Sequence, residues 1–138
     1  MSTVHDCGII ELNRHHSDRK GNLSVAENNT TIPFDIRRVY YIYDVPGGES
    51  RGSHAHRDLQ QMIVAVSGSF TVVLDDGKAR RSFFLNRPWI GLSVAPGIWR
   101  TVEDFSSGAV RMVLASDKYD EADYIRDYEK YLEFRNDK

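Results

Sequence analysis

Cysteine is nearly missing from this chain of 138 residues: Cys7 stands alone, so no intrachain disulfide can form and a reducing compartment is expected. Charge of one sign is missing too. With 18 basic and 20 acidic residues the formal net charge is -2, which excludes a global electrostatic attraction to nucleic acid or to an anionic membrane. Apolar runs stop after a handful of residues, far short of the ~20 that a membrane-spanning helix requires. The opening Met1-Ser2-Thr3-Val4-His5-Asp6-Cys7 has neither the basic nor the apolar stretch of a secretory leader, so a cytoplasmic location is expected. No glycine-rich loop opens a helix, which removes P-loop and dinucleotide-binding folds. No repeat, low-complexity tract or Pro/Ser-rich linker divides the chain, and residues 1–138 are expected to form a single domain.

What is present is short-period patterning. Period-two alternation or short apolar runs predict strands over Gly8 to Leu12, Asn22 to Glu27, Arg37 to Asp44 and Gln61 to Val66. Phe70 to Leu74 and Arg81 to Leu85 flank a hairpin signal at Asp75-Asp76-Gly77-Lys78-Ala79, and Trp89 to Ala95 and Ala109 to Ser116 follow. The four prolines fall between or at the edges of these runs, where a missing donor costs little. Tyr124, Ile125, Tyr128, Tyr131 and Leu132 recur at helical spacing, with Asp120, Glu121 and Asp123 in the expected first turn. Many short strands and one terminal helix predict an all-β barrel or sandwich rather than a parallel α/β sheet.

The most informative segment is Arg51-Gly52-Ser53-His54-Ala55-His56. In an extended strand, i and i+2 share a face, so His54 and His56 point together, either into a barrel or out to solvent. With Gln61 and Gly68 downstream, the spacing resembles the first motif of the cupins, and Pro96-Gly97-Ile98-Trp99-Arg100 resembles the second. A metal-binding cupin carries a third ligand where this chain has Gln60 or Gln61, and a fourth where it has Trp99, Arg100 or Thr101. Two imidazoles alone fall short of a metal ligand set, and Arg100 adds a repelling cation, so no metal is expected. Two neutral histidines suit proton transfer instead. The strand Val39-Tyr40-Tyr41-Ile42-Tyr43 offers hydroxyls for a developing oxyanion, with Tyr41 and Tyr43 on one face and Tyr40 on the other. Arginines recur at Arg19, Arg37, Arg38, Arg51 and Arg100; most solvate a surface, but a diphosphate ligand needs one or two such forks.

Longer stretches carry a more specific likeness. Asp18-Arg19-Lys20-Gly21, Ile32-Pro33-Phe34-Asp35-Ile36-Arg37-Arg38-Val39-Tyr40-Tyr41-Ile42-Tyr43, the His54 segment, Val66-Ser67-Gly68-Ser69, Val73-Leu74-Asp75-Asp76-Gly77 and Val113-Leu114-Ala115-Ser116-Asp117 run in order along nearly the whole chain, followed by Tyr119-Asp120-Glu121-Ala122-Asp123-Tyr124-Ile125-Arg126. In these the chain resembles the dTDP-4-dehydro-6-deoxyglucose 3,4-ketoisomerases, the WxcM-like sugar isomerases. The resemblance implies a cupin-type jelly-roll barrel with a short C-terminal helix, a homodimer with exchanged strands, and no metal or redox cofactor. It also implies a dTDP-linked keto-sugar substrate and a place in making 3-amino-3,6-dideoxyhexoses for surface polysaccharide, upstream of an aminotransferase. By position it implies His54, His56 and Tyr41 as catalytic residues; Arg19, Arg51, Gln61, Arg100 and Tyr43 are the candidate substrate-binding residues. The sequence departs from the family where Arg100 replaces a histidine found in some members, and where Arg19 stands one residue out of step in an Asp-x-Arg-Gly motif. A ketone at C4 acidifies the proton on C3, so the expected chemistry is base-catalysed enediolate formation, with one histidine at carbon and the other, with Tyr41, at the oxygens. A 3,5-epimerase of related fold, a metal cupin such as a dioxygenase and a non-catalytic sugar-binding barrel are the competing readings.

Overall fold

An alternating strand has one apolar face to bury, and a single flat sheet leaves that face in water. The computed structural model, which describes residues 1–136, solves this with two five-stranded antiparallel sheets packed face to face. The strands are β1 (Gly8–Glu11), β2 (Asn13–Ser17), β3 (Gly21–Val25), β4 (Arg38–Ile42), β5 (Arg51–His56), β6 (Gln61–Ser67), β7 (Phe70–Asp75), β8 (Arg80–Leu85), β9 (Ile90–Val94), β10 (Trp99–Glu103), β11 (Val110–Ala115) and β12 (Tyr124–Ile125). One sheet has the order β1-β9-β6-β11-β4 and the other β12-β5-β10-β7-β8, while β2 and β3 form a separate hairpin. This is the all-β sandwich that the strand pattern allows and the jelly roll that the resemblance implies. No helix of the described residues is long and apolar enough to cross a membrane.

Three apolar clusters hold the layers together. Ile63, Phe70, Val72, Leu92, Val102 and Val113 are among those filling the space between the sheets. Met62 and Val64 point out of the first sheet and are covered by Ile32 and Phe34, which explains why β6 is buried on both faces. On the outside of the second sheet, Ala55, Trp99 and Ile125 receive Tyr131 of helix α1 (Tyr128–Asn136). The Tyr131 hydroxyl donates to the Gly97 carbonyl at 2.8 Å, so the helix is anchored by a polar bond as well as by burial.

The helix is shorter than the stripe from Tyr124 predicts. Asp120, Glu121 and Asp123 do not form its first turn. The Asp120 side chain caps a separate 3-10 turn over Glu121–Asp123, and Tyr124 and Ile125 then pair with His56 and Ala55 of β5. The helix starts where Asp127 accepts the amides of Glu129 (2.8 Å) and Lys130 (3.2 Å), the bonding of an N-cap. Strands β2, β5, β10 and β12 also lie outside the predicted runs. All but one residue of β2 is exposed and β12 has only two residues, so neither carries an alternation to read.

Gly68 turns β6 into β7 with φ +68°, and a Cβ there would lie 2.8 Å from Cα of Ala109 and 2.5 Å from Oγ of Ser106. The left-handed backbone and the crowding both oppose a side chain. Gly68→Ala is expected to lower unfolding free energy by about 2–4 kcal/mol. Urea denaturation checks this, and an unchanged midpoint would show that the turn adapts freely.

Candidate active site

The two histidines of β5 turn inward and meet. His54 and His56 are both buried, their Nε2 atoms are 3.1 Å apart, and the rings are close to perpendicular (89°) with centroids 4.8 Å apart. The alternation argument thus predicts their common face. It does not predict that Arg51 shares the cavity with them, since residues three apart on a regular strand face opposite ways. Against β10, Arg100 pairs with His54 but Val102 pairs with Arg51, so β5 carries one extra residue between these positions. That irregularity is a bulge, and it swings Arg51 to the cavity side.

Arg38, Tyr40, Ile42, Arg51, His54 and Arg111 line a cavity of about 440 Å³, which Tyr119, Tyr124 and Arg126 of the C-terminal segment close on one side. A larger recess of about 830 Å³ beside Arg57, Gly97 and Phe134 contains none of the sequence-predicted residues. Four guanidiniums on one small cavity, with no carboxylate among its lining residues, make a site for a multiply charged anion. Arg111 is the clearest sign. Its side chain is buried, yet among the described residues Nε and Nη2 have no hydrogen-bond partner, and neither has Nε of Arg38. Buried guanidinium nitrogens without acceptors are costly, and an incoming ligand is the natural way to satisfy them.

Arg100 lies beneath this cavity rather than in its wall. Fully buried, it donates from Nη2 to the Ile98 carbonyl (3.0 Å) and from Nη1 to Oε1 of Gln61, while Gln61 Nε2 donates to the Tyr40 hydroxyl at 3.1 Å. The two positions where a cupin would hold further metal ligands are thus bonded to each other. Among the described residues no group of three or more His, Cys, Asp or Glu side chains is placed to hold a metal ion. Burial first, then the Arg100 charge, pushes both histidines down to about 2, so both rings are neutral at ordinary pH.

The structure separates the sequence-predicted residues. His54 and Arg51 line the cavity, His56 stands directly behind His54, and Gln61 and Arg100 are in the floor below. Tyr41 and Tyr43 are not brought to it: they sit on the outer side of the sheet edge, 62% and 60% exposed, with ring centroids 5.9 Å apart. The tyrosine that faces the histidines is Tyr40, because β4 presents Arg38, Tyr40 and Ile42 inward and Val39 and Tyr41 outward. Arg19 lies in the exposed turn of the β2–β3 hairpin, outside the cavity. Sequence reasoning also missed Arg111, Tyr119, Tyr124 and Arg126 as cavity residues, and Asp123, whose Oδ2 lies 3.0 Å from Nδ1 of His56. Period-two parity groups Tyr40 with Arg38 and Ile42 without saying which face looks inward, and nothing local marks the C-terminal residues.

Comparison with known proteins follows the same lines. Residues 5–136 match the family described as FdtA: WxcM-like, C-terminal. The TDP-4-oxo-6-deoxy-alpha-D-glucose-3,4-oxoisomerase of Aneurinibacillus thermoaerophilus is 50% identical over 117 residues, 85% of this chain and 84% of that one. Among solved structures, a 3,4-ketoisomerase from Helicobacter canadensis is 44% identical with a TM-score of 0.91, covering 95% of this chain and 98% of that one. A mutant of the 3,4-ketoisomerase QdtA from Thermoanaerobacterium thermosaccharolyticum, in complex with TDP-4-keto-6-deoxyglucose, is 36% identical with a TM-score of 0.93 over 99% and 98% of the two chains.

Neutral buried imidazoles impose a pH dependence on folding. Their native pKa values lie below the ordinary 6.5, so below that pH the unfolded chain binds protons that the native chain refuses. This stability is fully present above pH 6.5 and is lost as pH falls, by about 1.4 kcal/mol per pH unit for each ring. The His54→Asn/His56→Asn double variant is expected to flatten the fall in unfolding free energy between pH 6.5 and 5 by about 3–4 kcal/mol. Identical slopes in urea titrations of both proteins would mean that the rings are charged in the native state.

Proposed function

This chain belongs to the FdtA (WxcM-like, C-terminal) family, and we propose that it moves the keto group of dTDP-4-dehydro-6-deoxyglucose from C4 to C3 with His54 as the acid and base at carbon. It is a TDP-sugar 3,4-ketoisomerase. The observation that carries the catalytic reading is the neutral, buried His54–His56 pair, whose His54 faces a cavity rich in arginine. A neutral imidazole at the cavity wall accepts the C3 proton. The electron pair of that C–H bond goes into the C3–C4 double bond of an enediolate, and the former C4 carbonyl oxygen takes the negative charge. Return of the proton to C4, with one proton exchanged between the two oxygens, leaves the ketone at C3. No electron leaves the sugar, so the step consumes no redox cofactor, and we propose that it needs no metal.

The oxyanion needs a donor, and Tyr40 is suited to be that donor. Its hydroxyl accepts from Gln61, whose own carbonyl accepts from Arg100, so its remaining hydrogen is free for the sugar oxygen and is polarised by the guanidinium behind it. Gln61 and Arg100 thereby act through Tyr40 rather than by touching substrate. Arg38, Arg51, Arg111 and Arg126 supply countercharge for the diphosphate. Burial is the main cause that holds His54 neutral and the nearby arginines add to it; a bound diphosphate offsets the second of these, raising the basicity of His54 once substrate is present. A nucleotide-activated sugar places this reaction in the cytoplasm.

We propose further that the enzyme works as a homodimer with exchanged strands. Edge strand β4 leaves Val39 51% exposed beside Tyr41, and the β2–β3 hairpin holds Leu23 58% exposed. A substrate-binding role for Arg19 requires a second copy, since its own cavity does not include it.

Incubation with dTDP-4-dehydro-6-deoxyglucose in deuterated water is expected to give the 3-keto product with deuterium on carbon. His54→Asn should slow it on the order of 10²–10⁴-fold with dTDP affinity little changed. Tyr40→Phe should cost at least about tenfold and Tyr41→Phe almost nothing; equal losses in the two tyrosine variants would defeat the Tyr40 assignment. A product that keeps its ketone at C4 but is inverted at C3 or C5 would make this an epimerase. In solution the mass should be near twice 15.8 kDa, and a fully active monomer at micromolar concentration would contradict the exchanged-strand assembly.

A further inference from the structure

Asp123 belongs to the segment between the last long strand and the helix, and several bonds fix it there. Its amide donates to the Asp120 carbonyl (3.0 Å), its carbonyl accepts from the Arg57 amide (2.9 Å), and the next two residues are the strand β12 paired with His56 and Ala55. Tyr124 lays its ring against both imidazoles, with centroids 4.3 Å from His56 and 5.2 Å from His54. So placed, the Asp123 carboxylate has both oxygens engaged: Oδ1 accepts the Asp58 amide at 2.8 Å and Oδ2 faces Nδ1 of His56 at 3.0 Å.

We infer that Asp123 is a positioning residue that sets the tautomers of both histidines, leaving the free lone pair on Nδ1 of His54. A carboxylate only accepts, so Nδ1 of His56 carries the proton. His56 is neutral, and its Nε2 is then an acceptor. The partner of that acceptor is Nε2 of His54, 3.1 Å away, which must be the donor. His54 is neutral too, so its one proton is spent on this bond and its lone pair falls on Nδ1. The direction of the whole chain thus follows from the single charge at its far end. When Nδ1 of His54 takes the C3 proton, the C–H electron pair stays in the enediolate and His54 becomes a cation. Its Nε2 proton then points along the bond to His56, whose Nδ1 proton points at the Asp123 carboxylate, so the new positive charge is stabilised by a partly buried anion two rings away. Donation from Nδ1 of His54 to C4 restores the starting tautomers, and nothing is consumed.

This inference rests on the ketoisomerase reading for its kinetic consequence, but not for its spectroscopic one. Asp123→Asn is the discriminating variant. An amide offers one acceptor where two donors arrive. If its nitrogen faces His56, both imidazoles must invert and a proton lands on the nitrogen of His54 that should be the base.

Nitrogen-15 NMR of histidine-labelled enzyme, assigned with His54→Asn and His56→Asn, reads the tautomers directly. The wild type is expected to show His56 protonated on Nδ1 and His54 on Nε2. Asp123→Asn is expected to invert both, with kcat lowered on the order of 10³–10⁴-fold and KM within about threefold. Asp123→Glu, which keeps two acceptors, should recover at least about tenfold of that loss. Wild-type His56 protonated on Nε2, or an Asp123→Asn enzyme that keeps the wild-type tautomers and turnover, would overturn the inference. Should Asp123→Asn fail to fold, the wild-type spectrum alone still decides it. A wild type that forms no 3-keto product would refute the ketoisomerase reading, whereas the tautomer spectrum decides this inference either way.

Discussion

A fully buried guanidinium is the constraint around which this small protein is arranged. Arg100 stands on β10 between the two sheets, with its charge cut off from water, and burial pulls its pKa down to about 10. Desolvating such an ion costs several kcal/mol unless its donors are engaged. The Ile98 carbonyl and the Gln61 side chain engage them, and Gln61 in turn engages Tyr40. The interior is therefore divided. On one side of Arg100 lies a conventional apolar core of Ile63, Phe70, Leu92 and Val102; on the other lies a polar cavity with His54 on its wall and His56 behind it.

The same residue shows how one scaffold is turned from metal chemistry to proton chemistry. Positions that resemble metal-ligand positions in sequence are taken here by an amide and a guanidinium bonded to one another. Burial, reinforced by the positive charge of Arg100, keeps both imidazoles neutral, which is the state a general base requires, and that charge also opposes a metal cation. The cavity arginines work in the same direction. Arg111 and Arg126 add to the depression of His54 that burial and Arg100 begin, and an anion in the cavity would meet the buried guanidinium nitrogens that lack acceptors.

The C-terminal segment is the least conventional part of the sandwich and carries much of the site. Two residues of β-pairing and a capped single turn bring Asp123, Tyr124 and Arg126 to the rear and side of the histidines, while the helix beyond packs on the outside. Tyr119, Glu121 and Arg126 are joined at the surface, Arg126 donating to Glu121 at 2.7 and 3.0 Å, so one edge of the cavity is a hydrogen-bonded strap rather than a sheet.

How much of this was legible depended on the range of the interaction involved. Period-two alternation is local, so most of the long strands, the inward pairing of His54 with His56 and the opposite faces of Tyr40 and Tyr41 are all contained in the sequence. The stretches that resemble a family located the function. Choosing Tyr40 over Tyr41 requires knowing which face of β4 looks inward, and that is set by pairing with β11 and by the sheet opposite, not by the residues of β4. Arg51 reaches the cavity through a bulge that appears only in the register against β10. Asp123 looked like the start of a helix because acidic residues before an apolar stripe favour one, and Asp127 overrode that reading by capping the helix four residues later. By itself, then, the sequence determined the all-β class, the histidine pair and the family. Tertiary structure alone decided which tyrosine, which arginines and which carboxylate complete the site, because those depend on pairings such as Tyr40 with Val113 and on contacts such as His56 with Asp123, 67 positions apart, that no local pattern encodes.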